Sequence, residues 1–89
     1  MAYRIEVSTD ARKQLGKLDK EIRERIVRFL FDRITKLEDP RSLGEALKGT
    51  QLGELWKYRV GDFRLICQIA DARVLIVVLR VGHRREIYR

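Results

Sequence analysis

Cysteine, histidine, proline, tryptophan and methionine occur once each in the 89 residues, and several of these scarcities exclude a class of chemistry. A lone Cys67 cannot close an internal disulfide, and its place on the core-facing parity of a predicted strand reads as a buried thiol, not a nucleophile. With one histidine, one cysteine and no carboxylates at ligand spacing, no metal site is expected, and no cofactor. No apolar run is long enough to cross a bilayer, and neither a signal peptide nor a terminal lipidation motif is legible. A cytoplasmic protein with no membrane partner is therefore expected. Gly44, Gly49 and Gly53 match neither a Walker A loop nor a dinucleotide fingerprint. Repeats, linkers and low-complexity stretches are missing too, so residues 1–89 read as one domain with a single modest core.

Positive charge is what the chain has in excess. Twenty Lys and Arg stand against 13 Asp and Glu, a formal charge of +7. The natural partners of such a surface are anionic, a nucleic acid or an acidic protein before a membrane.

The charge has a focus. Residues 55–60 and 63–69 are two β-like runs joined by Gly61-Asp62, a favoured two-residue hairpin loop. Glycine at the first loop position supplies the positive φ of a type II′ turn, so the predicted register sets Val60 opposite Phe63, Arg59 opposite Arg64, Tyr58 opposite Leu65 and Lys57 opposite Ile66. Alternation then gives Trp56, Tyr58, Val60, Phe63, Leu65, Cys67 and Ile69 to one side and Lys57, Arg59 and Arg64 to the other. Like charges directly opposite one another across two strands are destabilising by roughly 0.2–1 kcal/mol. A bound polyanion would offset that cost; so, more simply, would long basic side chains that splay apart in water.

The remaining pattern supplies a scaffold. Tyr3, Ile5 and Val7 alternate with Arg4 and Glu6 as a half-buried edge strand. Ser8, Thr9 and Asp10 offer N-cap oxygens to a short helix carrying Ala11, Leu15 and Leu18 and ending near Gly16. From Lys20, after Asp19 as cap, Ile22, Ile26, Phe29, Leu30, Ile34 and Leu37 recur at helical spacing until Asp39-Pro40. Val27 and Phe31 widen this stripe, as extra core or as a docking surface. Residues 41–53 read as a loop with at most one helical turn. The uniformly apolar run Val74–Leu79, within a strand spanning Arg73 to Val81, belongs inside the sheet. A bend at Gly82 and a short final strand in the basic tail complete the order β-α-α-β-β-β-β: an α+β fold, two N-terminal helices on one face of a largely antiparallel sheet of four to five strands.

Leu47-Lys48-Gly49, the run Leu55 to Ile69, and Val81-Gly82-His83-Arg84-Arg85-Glu86-Ile87-Tyr88, in this order and spacing, resemble the RelE family of bacterial type II toxins. The resemblance implies a ribosome-dependent, metal-independent endoribonuclease that cuts mRNA in the ribosomal A site by attack of a ribose 2′-OH on the adjacent phosphate. It further implies a cognate antitoxin, here an acidic one with an amphipathic segment. Transferred by position, the family's roles make Lys57 the general base, Arg59 and Arg64 stabilisers of the phosphorane, Arg84 the leaving-group acid or a further stabiliser, and Tyr88 a stacking aromatic. His83 is an additional candidate acid or base. Two other readings carry different consequences: a ParE-like toxin acting on DNA gyrase, and a non-catalytic basic RNA-binding module.

Overall fold

The computed structural model describes residues 2–47 and 55–85. Strand β1 (Arg4–Val7) leads into helix α1 (Thr9–Gly16), and α2 (Lys20–Arg28) continues through a π turn at Phe29–Arg33 and a 3-10 turn at Ile34–Lys36. Four strands follow: β2 (Glu45–Ala46), β3 (Leu55–Val60), β4 (Phe63–Ala70) and β5 (Leu75–His83). Their order across the sheet is β1-β5-β4-β3-β2. The β1–β5 pairing is parallel and the others are antiparallel, so the expected α+β architecture holds, with β1 at an edge and β5 inside.

Local sequence accounts for most of these elements. The Ser8 hydroxyl accepts from the Ala11 amide (3.1 Å), capping α1 as its position before the apolar stripe predicts. Gly61 takes φ +58° and Asp62 stays outside the positive region, the pattern of a type II′ turn. All four predicted hairpin pairings are present, Arg59 opposite Arg64 among them. Ala11, Leu15, Ile26, Leu30 and Ile34 of the helical segment meet Tyr58, Val60, Leu65, Cys67, Ile69, Ile76, Val78 and Val81 of the sheet in one core. Val27 and Phe31 do not join it: they are 39% and 46% exposed, so the wider stripe is surface.

Two expectations need correction. Residues 41–47 hold a two-residue strand, β2, beside a 3-10 turn at Pro40–Ser42, because the loop carries too short a run to show alternation. The chain does not bend at Gly82: β5 runs through His83, and Arg84 and Arg85 form the turn. The expected final strand falls in residues 86–89, outside the described residues. A further feature was not expected at all: β5 does not keep one alternation along its length. Ile66 pairs with Arg80 but Cys67 pairs with Val78, leaving Leu79 as the extra residue of a β-bulge.

That bulge decides which β5 side chains reach which face. N-terminal to it, Ile76 and Val78 lie opposite Ile69 and Cys67 on the helix-facing side. C-terminal to it the phase is inverted, so Val81 and His83 take that side while Arg80 and Gly82 share the open side with Ile66 and Arg64. Strand β1 ends at Val7, and α1 serves the β5 edge beyond it. The Ser8 amide and hydroxyl donate to the Val78 and Leu79 carbonyls (2.9 and 3.1 Å), and Gln14 Oε1 accepts from the Val81 amide (2.7 Å). A clasp closes the other end of the sheet, where Asp71 accepts from Tyr3 Oη (2.7 Å) and from both Arg41 Nη atoms (2.9 and 3.0 Å).

Two predictions follow from these contacts. Gln14→Ala leaves the part-buried Val81 N–H without its acceptor and should lower stability by about 1–3 kcal/mol, whereas Gln14→Glu retains an acceptor and should lose less; urea denaturation of the pair measures the difference. Burial also pushes the Cys67 thiol and the Tyr58 phenol up from ordinary values of 9.0 and 10.0. The folded chain therefore keeps protons that the unfolded chain releases, and the stability these two groups contribute is full below pH 9 and falls as pH rises past it. In thermal melts taken from neutral to alkaline pH, Cys67→Ala should move the onset of that fall to about pH 10, the ordinary range of a tyrosine.

Candidate functional site

The open face of the sheet carries the cations. Lys57, Arg59, Arg64 and Arg80 all fall on it by register, and Ile66, between Lys57 and Arg80 in its row, is only 4% exposed. A nearly buried isoleucine flanked by two long basic side chains suits their alkyl stems, which cover apolar surface while the charges stay in water. Arg84 is the first residue beyond β5, and its amide donates to the Asp62 carbonyl (2.8 Å) at the hairpin turn. The bulge at Leu79 is what puts Arg80 on this face.

The cations are not left facing one another. Glu45, opposite Lys57 on β2, places its Oε1 2.9 Å from Lys57 Nζ and 3.3 Å from Arg59 Nη2. Arg64 turns the other way, its Nη1 donating to the Gly61 and Phe63 carbonyls at 3.1 and 3.2 Å. The uncompensated Arg59–Arg64 repulsion expected from the sequence is thus relieved from within, one guanidinium drawn to a carboxylate and the other to turn carbonyls. The Lys57 side chain is 17% exposed and that of Arg59 62%. Both cations hold the Glu45 carboxyl below its ordinary range, Lys57 by hydrogen bond and charge more than Arg59.

Strand β2 sits where it does because β3 holds the segment before it. The Tyr58 hydroxyl donates to the Pro40 carbonyl (2.5 Å) and Trp56 Nε1 to the Leu43 carbonyl (2.7 Å). Directly after these anchors Gly44 takes φ +78°, and a Cβ there would collide with the Lys57 carbonyl and lie 2.7 Å from Trp56 Nε1. Only glycine lets the chain come this close and then turn Glu45 onto the open face. Phe29, Arg33, Leu43, Gly44, Glu45, Lys57, Tyr58 and Arg59 line a cleft of about 510 Å3 at this edge of the sheet.

The remaining sequence candidates separate. His83 pairs with Phe63 and packs edge-on against its ring, centroids 5.6 Å apart, on the helix-facing parity and away from the cations. The phase inversion at Leu79 accounts for this, since unbroken alternation from Ile76 and Val78 would have put His83 on the open face. Tyr88 lies outside the described residues, as do Lys48 and Gly49. Sequence reasoning missed Glu45 and Arg80. A two-residue strand leaves no periodic signal for the first, and the second is assigned to a face only by a bulge.

Comparison with known proteins agrees with this architecture. A family model described as the ParE toxin of the type II toxin–antitoxin system parDE matches residues 5–88. Toxin RelG of Mycobacterium tuberculosis is 35% identical over 89 residues, spanning 100% of this chain and 99% of its own. The mRNA interferase toxin RelE of Escherichia coli is 32% identical over 90 residues, spanning 99% and 92%. Among solved structures, a chain of the RelBE2 toxin–antitoxin complex from M. tuberculosis superposes with TM-score 0.83 at 32% identity, covering 94% of this chain and 100% of that one. The archaeal RelE–RelB complex from Pyrococcus horikoshii gives TM-score 0.75 at 27% identity, over 97% and 99%.

Fold and relatives together define a toxin of a type II toxin–antitoxin system. Within that class the chain belongs to the RelE family.

The packing around Gly44 makes one prediction. Gly44→Ala should cost about 1–3 kcal/mol through overpacking and push Leu43 off Trp56. The single tryptophan reports it: loss of the Nε1 bond and entry of water should shift its emission to longer wavelength in the still-folded variant.

Proposed function

We propose that this toxin is a ribosome-dependent endoribonuclease that cuts mRNA in the A site without a metal ion, and that an acidic antitoxin restrains it. The observation that carries this reading is the common phase of Lys57, Arg59 and Arg64 on one open sheet face, with Arg84 held by its amide at the hairpin turn beside them. In-line attack of a ribose 2′-OH on the neighbouring phosphate builds negative charge on the phosphoryl oxygens. Fixed guanidinium groups stabilise that charge bidentately, more in the transition state than in the substrate. The products are a 2′,3′-cyclic phosphate and a free 5′-OH.

In this scheme Arg59 and Arg64 bind the phosphoryl oxygens, Arg84 serves the leaving oxygen, and Tyr88 stacks on a base. Lys57 takes the 2′-OH proton. A carboxylate beside an ammonium favours the charged form, so Lys57 acts as a base once its pair with Glu45 opens and its cationic neighbours dominate. The proposal gives His83 no part, since its ring stands against Phe63 on the other side of the sheet. Relatives named as mRNA interferases support the nuclease reading; the family model described as a ParE toxin is what favours the gyrase alternative.

The antitoxin contact is proposed on exposed apolar surface. Val27 and Phe31, one helical turn apart, stand exposed on the helical side with Arg23 and Arg28 nearby. An amphipathic segment with acidic flanks complements both features, and RelB complexes are known for structural relatives.

Translation of a defined mRNA in a purified bacterial system, followed by primer extension, tests the activity. Cuts at codon spacing should appear only when ribosomes are present, and Arg84→Ala should reduce them by about 10²–10³. Uncut mRNA together with inhibited gyrase supercoiling would establish the alternative instead.

A further inference from the structure

We infer that Glu45 is a built-in counter-ion that occupies the Lys57–Arg59 cation pair in the free toxin and is displaced when an RNA phosphate binds there. The inference rests on the reading above, that these cations receive a phosphate, and adds what holds them until they do.

The geometry is that of a substitute ligand. One carboxylate oxygen bridges Lys57 Nζ and Arg59 Nη2, at 2.9 and 3.3 Å. Carboxylate and phosphate oxygens present the same kind of acceptor to ammonium and guanidinium donors, so Glu45 and a phosphate compete for one pair of cations. Its own element is a two-residue edge strand held to β3 at Lys57 and Trp56. Glu45 remains 53% exposed, so water is ready to solvate it when it leaves. The cations are therefore kept ordered without being strongly sequestered. A side chain in this position sets affinity: it discriminates against anions that bind one cation weakly, while a phosphate held by the whole face outcompetes it.

Among the described residues, charged groups near the pair include Arg33 across the cleft, Arg64 on the neighbouring strand and Arg80 one strand further. Among the described residues that line the cleft, Glu45 is its one carboxylate.

The test uses the full chain and a fluorescein-labelled hexadeoxynucleotide, which lacks the 2′-OH and so binds without being cut. Fluorescence anisotropy at low salt compares wild type, Glu45→Gln and Glu24→Gln, the last removing the same charge from an exposed position on α2. Glu45→Gln should bind about two- to fivefold tighter, the range that displacement of a part-exposed ion pair allows, and Glu24→Gln should gain less. Repeated in Lys57→Met, the Glu45→Gln gain should shrink, since the competition has lost one of its cations. Equal or weaker binding by Glu45→Gln, a gain no larger than that of Glu24→Gln, or no binding by either protein overturns the inference. So does slower mRNA cutting by Glu45→Gln at unchanged oligonucleotide affinity, which would make the carboxylate part of the proton transfer. A gain in affinity in a protein that never cuts mRNA on ribosomes would keep the counter-ion and remove the nuclease.

Discussion

Much of this molecule turns on one inserted residue. Leu79 has no partner of its own on β4, and the alternation of β5 inverts around it. Ile76 and Val78 before the bulge and Val81 after it all reach the same core, while Arg80 and Gly82 are delivered to the cation face. Without the inversion, apolar Val81 would face outward and Arg80 would be driven toward the helices. A buried guanidinium lacking a partner carries a far larger penalty than a bulge. The bulge is thus what packs the core and what sets the cation face, in the same residue. Its edge is served by the helix that follows β1, through Ser8 and Gln14.

The opposite edge of the sheet follows a second constraint, the close approach of residues 43–46 to β3. Trp56 and Tyr58 face the core, and their polar atoms donate to the Leu43 and Pro40 carbonyls of the segment before β2. Burial of these aromatics and placement of β2 are one event. Gly44 permits the approach, and Glu45 emerges from it beside Lys57. A cation face that looks overcharged in the sequence is therefore partly neutralised in the fold, by a carboxylate on a strand too short to predict and by carbonyls of the hairpin turn.

These two constraints explain which parts of the site were legible beforehand. The hairpin was readable because its information is local: Gly61-Asp62 selects the turn, the turn selects the register, and a period of two assigns every side chain from Trp56 to Ile69 to a face. The helices were readable for the same reason, through Ser8 as cap and the spacing of Ile26, Leu30 and Ile34. His83 was not, because its face depends on a bulge several residues upstream that no local pattern announces. Glu45 was not, because its importance lies in a contact across to Lys57.

By itself, then, the sequence determined the α+β class, the two-helix segment, the register of the central hairpin and the clustering of Lys57, Arg59 and Arg64, all of which follow from turn chemistry and periodicity within a short stretch of chain. Tertiary structure alone decided that Arg80 joins them while His83 does not, and that Glu45 partners two of them. The physical reason is that phase across a bulge and charge pairing between distant segments are set by how the core and the edge hydrogen bonds are satisfied together, and neither condition exists until the chain has folded.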